Sequence, residues 1–462
     1  MYLASIVARN VAAFQFDANF WLQILQFVVA FLSFFGFVLT SAIILILVER
    51  KVMAWMQDRL GPIHVGPWGL LQTVADVVKL LLKEDIHAGL TDKTLFILAP
   101  SVFLAPVIAA FAVLPLSPYV SVPGTALATG IVYYVAMSSI DVVGAVMAGW
   151  SSNNKYSLIG GLRAAAQMIS YELPLTLALV SIVMLTSVLS NTGLGTISIR
   201  DIQNYQSAGL WPGKGIGFFD FIFQGNTPWA WFFLVQPLML IIYYTCGLAE
   251  TNRSPFDLPE AESELVAGYL TEYSGMRWGM FYLGEYGNMT IVSAIATYLF
   301  LGGFSGPGVA FLTGLGSFGW GLLGNLLAIG YFILKVYLLC LVFIWVRSTL
   351  PRLRADQLMQ FAWLILIPTT LLNIVITALI FLVMNSFGSP GWLFEIVLGV
   401  VNWAMLAVFI LIVSRATVAT TRRAQAPAIR ARRRAQAIPA ATAVAGQLPE
   451  RAGAGTAGGM QQ

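Results

Sequence analysis

Charge is scarce in this chain. Only 10% of its 462 residues are Asp, Glu, Lys or Arg, while 58% are apolar, against about a quarter charged in an ordinary soluble domain. That excludes a water-soluble globule and makes the bilayer the solvent to reason with. Metal ligands are scarcer still. The two cysteines, Cys246 and Cys340, sit in or beside apolar runs without CxxC spacing, and the histidines are His64 and His87 alone. No zinc, iron–sulfur or haem site can be assembled from so few ligands. A GxGxxG spacing at Gly314, Gly316 and Gly319 follows no strand and lies in apolar loop sequence, and there is no GxxxxGK[ST] loop. The chain thus carries no standard motif for a dinucleotide or for ATP, and without redox ligands it cannot pass electrons alone. The sequon at Asn288, Met289 and Thr290 falls at an inside boundary and carries no glycan meaning. Arg9 and Asp17 precede the first long apolar run with no small-residue cleavage site, which predicts an uncleaved start.

What is present is a series of apolar runs long enough to span, since about 20 residues cross the hydrocarbon. They fall near residues 20 to 48, 95 to 115, 126 to 148, 162 to 189, 229 to 249, 288 to 304, 322 to 346, 359 to 384 and 392 to 414. The expected fold is therefore an all-α integral membrane protein of about nine transmembrane helices. Pro100, Pro106, Pro174 and Pro237 within the runs suggest kinked spans, because neighbouring helices can satisfy the freed carbonyls. Lys and Arg set the orientation. With the N-terminus outside, the inside segments hold Arg50, Lys51, Arg59, Lys79, Lys83, Lys93, Lys155, Arg163, Arg253, Arg277, Arg347, Arg352, Arg354 and the basic tail. The outside segments hold only Arg9, Arg200 and Lys214. The organisation that follows is a polytopic domain over 1–414, with cytoplasmic loops at 49–94, 149–162, 249–287 and 347–358. A disordered Arg/Ala-rich tail occupies 415–462. Its polybasic stretch, RRAQAPAIRARRR, suits anionic lipid, not nucleic acid.

Residues 66 to 84, GPWGLLQTVADVVKLLLKE, are too short and too charged to cross. Gln72, Asp76, Lys79 and Lys83 form one polar stripe on an otherwise apolar helix, which predicts a helix lying in the interface. Three ionisable groups fall at membrane depth: Asp141 in the third run, Glu172 opening the fourth, and Lys335 in the seventh. Such groups are costly there and mark either a proton path or a buried clasp between helices. The segment from 246 to 288 gathers Glu250, Asp257, Glu260, Glu262, Glu264, Glu272 and Glu285 against only Arg253 and Arg277. Crowded like charges raise carboxyl pKa values and so suit proton relay; a solvated acidic loop for a basic partner is compatible with the same pattern. The interleaved Phe256, Leu258, Leu265, Val266, Tyr269, Trp278 and Tyr282 want burial.

Four segments together resemble one family, the H subunit of bacterial NADH:quinone oxidoreductase, respiratory complex I, homologous to the mitochondrially encoded subunit 1. They are ERKVMAWMQDRLGP with VGPWGLLQTVADVVKLLLKE; GWSSNNKYSLIGGLRAAAQMISYELP; AETNRSPFDLPEAESELVAGYLTEYSG with GEYGN; and RSTLPRLRADQLMQFAW. The resemblance implies a quinone chamber where the membrane and hydrophilic arms meet, with Arg50, Asp76, Val77 and Lys79 at its mouth and Arg253, Asp257 and Arg277 also lining it. It implies a proton-coupling funnel of Asp141, Glu172, Glu250, Glu260, Glu262, Glu264 and Glu285. It further implies that this chain binds no cofactor, that quinone is the substrate, and that FMN and iron–sulfur clusters belong to partner subunits. Those partners are hydrophilic-arm subunits bearing the terminal cluster and other membrane-arm subunits, antiporter-like ones among them. The implied location is the bacterial plasma membrane. Val77 and Ala88 depart from the family's commoner smaller residue and Pro, and the ninth run and the tail exceed its usual eight spans.

Two other readings stand beside this one: the homologous membrane subunit of an energy-converting hydrogenase or another donor-linked quinone reductase, and a secondary transporter. A transporter would show paired broken helices in two related halves, and no internal repeat is visible. A purely structural subunit leaves ionisable groups in three spans unexplained.

Overall fold

A computed structural model describes residues 19–86, 89–115, 127–189, 195–207, 231–258, 267–309, 312, 318–386, 394 and 396–415. Two compact units divide the chain, Met1–Trp403 and Ala404–Gln462. In the second, residues 404–415 are helical; the predicted tail beyond Arg415 lies outside the described residues.

Helices make up the first unit, with no strand among the described residues. They are α1 (Asn19–Met56), α2 (Gln72–Leu82), α3 (Lys93–Ala110), α4 (Gly130–Ser151), α5 (Lys155–Leu189), α6 (Ile199–Ser207), α7 (Pro237–Glu250), α8 (Gly275–Phe300), α9 (Phe318–Thr349), α10 (Ala355–Gln360) and α11 (Ile367–Ser386). A π-helical turn, Phe361–Leu366, joins α10 to α11. The last helix, α12, runs from Ile396 to Arg415. Among the described residues, six helical stretches are long and apolar enough to cross a membrane: Lys93–Val113, Gly130–Ser151, Lys155–Ser187, Gly321–Thr349, Ala355–Met384 and Ile396–Arg415. This is an all-α membrane protein.

Several helices outrun their apolar segments. A run ends where charge begins, but a helix needs only backbone bonding and propensity. α1 has 38 residues, or about 57 Å, and so carries Glu49 to Met56 beyond a hydrocarbon core of about 30 Å. α5 begins at Lys155, seven residues before the predicted span, so Glu172 stands well inside this helix and does not open it. Only residues 152–154 part α4 from α5, where a long loop was expected. Asn153 turns the chain at φ 46°, and the Asn154 side chain caps the Tyr156 amide at 3.0 Å. α8 likewise begins at Gly275, thirteen residues ahead of the predicted span. Pro100, Pro106 and Pro174 lie inside α3 and α5, whereas Pro237 starts α7.

α8 is the axis of the fold, buried at every residue from Gly284 to Phe300. It packs against α3, α1, α7 and α9. Its glycines permit that: a Cβ on Gly284 would stand 2.6 Å from the Phe103 ring, and one on Gly287 would stand 2.6 Å from Val107. Small residues at a crossing let backbones approach, which matters in lipid, where apolar burial gives little drive to association. α2 is amphipathic, with Leu71, Val74, Val78, Leu81 and Leu82 exposed beside the Gln72–Asp76–Lys79–Lys83 stripe.

A buried charged cluster and its carboxylate chain

α7 ends in a turn that produces the centre of the site. Asn252 takes a left-handed conformation at φ 50°, which Asn tolerates at helix ends. Gln167 of α5 grips both sides of the turn, donating to the Ala249 carbonyl at 2.7 Å and the Phe256 carbonyl at 2.5 Å. Arg253, 5% exposed, thereby sits between two carboxylates. Its guanidinium is 3.4 Å from Glu285 of α8 and 4.0 Å from Glu49 of α1, and it stacks 4.3 Å from the Tyr286 ring. Glu49 also pairs with Arg347 of α9 and accepts from the Tyr286 hydroxyl at 2.6 Å. The Tyr269 hydroxyl reaches Glu285 at 3.5 Å. Four elements distant in sequence thus meet in two carboxylates and two guanidiniums. Burying such charges is tolerable only because each has partners.

From this cluster a line of acids continues into the helices. Asn288, three residues after Glu285 and hence on the same face of α8, donates to Asp141 of α4. Ser138, whose hydroxyl donates to the Val135 carbonyl at 3.0 Å, lies beside Glu250, and its neighbour Ser139 donates to Glu172 of α5. Glu250 lies close enough to interact with both Asp141 and Glu172. One oxygen of Asp141 and one of Glu250 have no hydrogen-bond partner among the described residues. Asp141 is fully buried and Glu250 is 7% exposed. A second group of hydroxyls lies beside them, where Tyr243 donates to Tyr134 at 3.3 Å.

The predicted chamber residues separate. Arg50 and Asp76 form an ion pair between α1 and α2, and Gln72 supports Asp76 at 3.2 Å. Val77 is half-buried and Lys79 exposed on the same helix. Arg277 goes to Asp85 at 3.0 Å and lies 5.5 Å from the Phe96 ring, and Asp257 is 3.9 Å from Arg352. Of the seven, only Arg253 joins the buried cluster. The acids Asp141, Glu172, Glu250 and Glu285 are gathered; Glu260, Glu262 and Glu264 lie outside the described residues. Among the described acids of the segment from 246 to 288, Asp257 gains Arg352 from the stretch after α9, and Glu272 accepts from the Asn154 amide at 2.9 Å. Below the turn, Tyr273 bonds Ser151 at 3.2 Å. Burial pushes its phenol up to about 12.

Sequence reasoning missed Glu49, Arg347, Tyr286 and Asn288. Glu49 precedes Arg50 and Lys51 at a predicted span end, where such a trio resembles a solvated rim; its position one turn within a continuing helix was the available signal. In the sequence Asn288 shows only as a sequon and as the last residue of GEYGN; its bond to Asp141 joins helices far apart in the chain. Lys335 is held differently from the acids: its ammonium donates to the carbonyls of Leu301, Gly303 and Ser305 at 2.7, 3.0 and 2.7 Å and lies 4.3 Å over Trp231. No three of His, Cys, Asp and Glu converge as metal ligands among the described residues.

A family model described as NADH dehydrogenase matches residues 25–378. Similar proteins include the H subunit of NADH-quinone oxidoreductase from Dehalococcoides mccartyi, 44% identical over 361 residues spanning 78% of this chain and 88% of that protein. Its counterpart from Brevibacillus brevis is 44% identical over 366 residues, 79% of this chain and 96% of the relative. The counterpart from Chlorobaculum parvum is 45% identical over 337 residues, 72% and 85% respectively.

Proposed function

Because this chain belongs to the NADH dehydrogenase family, we propose that it is the H-type membrane subunit of a proton-translocating NADH:quinone oxidoreductase and couples quinone reduction to proton movement. The observation that carries this reading is the buried array Glu49–Arg253–Glu285–Arg347, continued through Asn288 to Asp141 and Glu250. Charges in low dielectric respond strongly to one another, so a proton gained or lost at one end changes the affinity of the next group. The chain itself brings no redox centre. Electrons reach quinone from an iron–sulfur cluster in a hydrophilic-arm partner, FMN lies in a further partner, and antiporter-like membrane partners receive the charge change.

Quinone enters, in this reading, beside α1 and α2, where Arg50 and Asp76 pair and apolar side chains of α2 stand exposed. Lys79, Asp257 and Arg277 border the same cytoplasmic side. The chain crosses the bacterial plasma membrane nine times with its N-terminus outside, as the Lys and Arg distribution supports. Glu260, Glu262 and Glu264 extend the carboxylate series.

The test is Glu250→Gln and Glu172→Gln in the intact complex, in sealed membranes. NADH-driven proton pumping and quinone-linked turnover should fall together, with the assembled complex at its normal amount. Wild-type pumping in both variants would overturn the reading.

A further inference from the structure

The first part of the last helix, up to Trp403, packs against a break in the helix that leads to Glu250. Residues Phe232–Val235 form a single helical turn, Gln236 leaves helical geometry at φ −132°, ψ 60°, and α7 restarts at Pro237. Pro237 has no N–H, so the break leaves backbone and amide groups that the helix cannot satisfy by itself. At membrane depth such groups need protein partners, because lipid supplies none.

Three residues of α12 lie against that break. Trp403 donates its indole N–H to the Leu234 carbonyl at 3.0 Å. A Cβ on Gly399 would be 3.5 Å from the same carbonyl oxygen and 3.8 Å from the Val235 Cα, so the two backbones run in contact. Asn402 accepts from the Asn373 amide of α11 and anchors its own amide on the Leu398 carbonyl at 3.0 Å. Asn373 lies 3.3 Å from the Ser181 hydroxyl of α5, which donates to the Gln236 side-chain oxygen at 2.9 Å. Ser181, Gln236, Asn373 and Asn402 are all completely buried. The line of contacts therefore runs from α12 through α11 and α5 to the residue at which the helix breaks. The buried residues Phe394, Leu398 and Asn402 recur every four, so a single helical face makes this contact.

We propose that α12, which lies beyond the region matched by the family model, is a clamp on the break at Gln236 and is a positioning element for α7. α7 has 14 residues, with Gln236 preceding its first and Glu250 as its last. Fixing the break fixes the rotation and depth of the carboxylate about 20 Å away along the helix. Unlike the acids, the clamp is built of neutral amides, hydroxyl and indole, groups that hold helices together in lipid without carrying charge. The positioning half of the proposal rests on the role given above to Glu250; the clamp itself does not.

The experiment uses the complete complex in membranes, with Asn373→Leu, Asn402→Leu, their double variant and Trp403→Phe. Two readouts are taken: the half-life of NADH:quinone activity at elevated temperature, and protons pumped per NADH oxidised. Each single Asn variant should shorten the half-life, because it leaves a buried amide unpaired; the double variant should be no worse than the poorer single. Trp403→Phe should shorten it as well. Additive losses in the double variant, or wild-type half-lives in the singles, would overturn the clamp. Positioning predicts fewer protons per NADH in Asn402→Leu at permissive temperature, and an unchanged ratio there would overturn it. Glu250→Gln run alongside separates the causes. If that variant pumps normally, the coupling role of Glu250 fails, while the half-lives still decide the clamp.

Discussion

Glu49 and Lys335 are both ionisable, the first buried and the second half-buried at helix contacts, and they are differently partnered. Glu49 is shared between two guanidiniums and a phenol, so its charge state is felt across the cluster. Removing one member of a buried pair typically costs about 3–5 kcal/mol, since the other charge is left stranded. Glu49→Gln should therefore lower quinone-linked turnover at least tenfold and shorten the thermal half-life of the complex, as turnover assays before and after heating would register. A conservative Glu49→Asp should restore part of both. Lys335 instead places its three donors on three backbone carbonyls at the end of α8, the geometry of an ammonium that holds a chain in place. Lys335→Met should reduce the amount of assembled complex without changing protons pumped per NADH in what remains. A changed ratio would return Lys335 to the proton path. Such distinctions were not available from the sequence, where Asp141, Glu172 and Lys335 all presented the same costly charge in an apolar run. Partners separate them, and partners are supplied by other helices.

At the scale of elements, residues 267–274, which lead into α8, are held down by close backbone approach. Gly160 of α5 faces Gly268 so closely that a Cβ there would lie 2.6 Å from the Gly268 Cα. Ser157 also donates to the Tyr269 carbonyl at 3.4 Å. Tyr269 in turn reaches Glu285, so the loop's seat and the charged cluster share a residue. Gly160→Val should push this segment off α5 at a cost of about 1–3 kcal/mol or more. The expected result is faster proteolysis between α7 and α8 in isolated membranes, together with reduced NADH:quinone activity. Unaltered proteolysis would show that the seat yields without consequence. The amphipathic helix was legible in advance, since the spacing of Gln72, Asp76, Lys79 and Lys83 alone fixes a polar stripe. The starts of α5 and α8 were not, because apolar runs mark the hydrocarbon and not the helix, and both helices continue through polar sequence.

For the whole molecule, the end of the chain has two unlike parts. Residues 396–403 carry Gly399, Asn402 and Trp403 at the break before α7, whereas the stretch after Arg415 is rich in Ala, Arg, Gly, Gln and Pro. Truncation after Arg423 should leave assembly and activity largely intact. Truncation after Ser386 should lower the amount of the complex in membranes, as native gels would show. Equal loss in both would place structural weight in the basic tail.

Composition and run length were enough to establish an all-α membrane protein, and the spacing of polar residues its amphipathic helix, because hydrocarbon imposes its rules on each segment separately. Asp141 and Glu172 stand out as costly charges in apolar runs and Glu250 by the crowding of like charges, whereas a chamber role for Arg253 rests on the family resemblance. Only tertiary structure decided that Arg253 stands between Glu49 and Glu285, that Asn288 meets Asp141, and that a helix near the end of the chain grips the break before α7. Each of these is a contact between segments far apart in sequence. A buried charge or a broken helix announces that it needs a partner; which residue supplies it depends on how the helices pack.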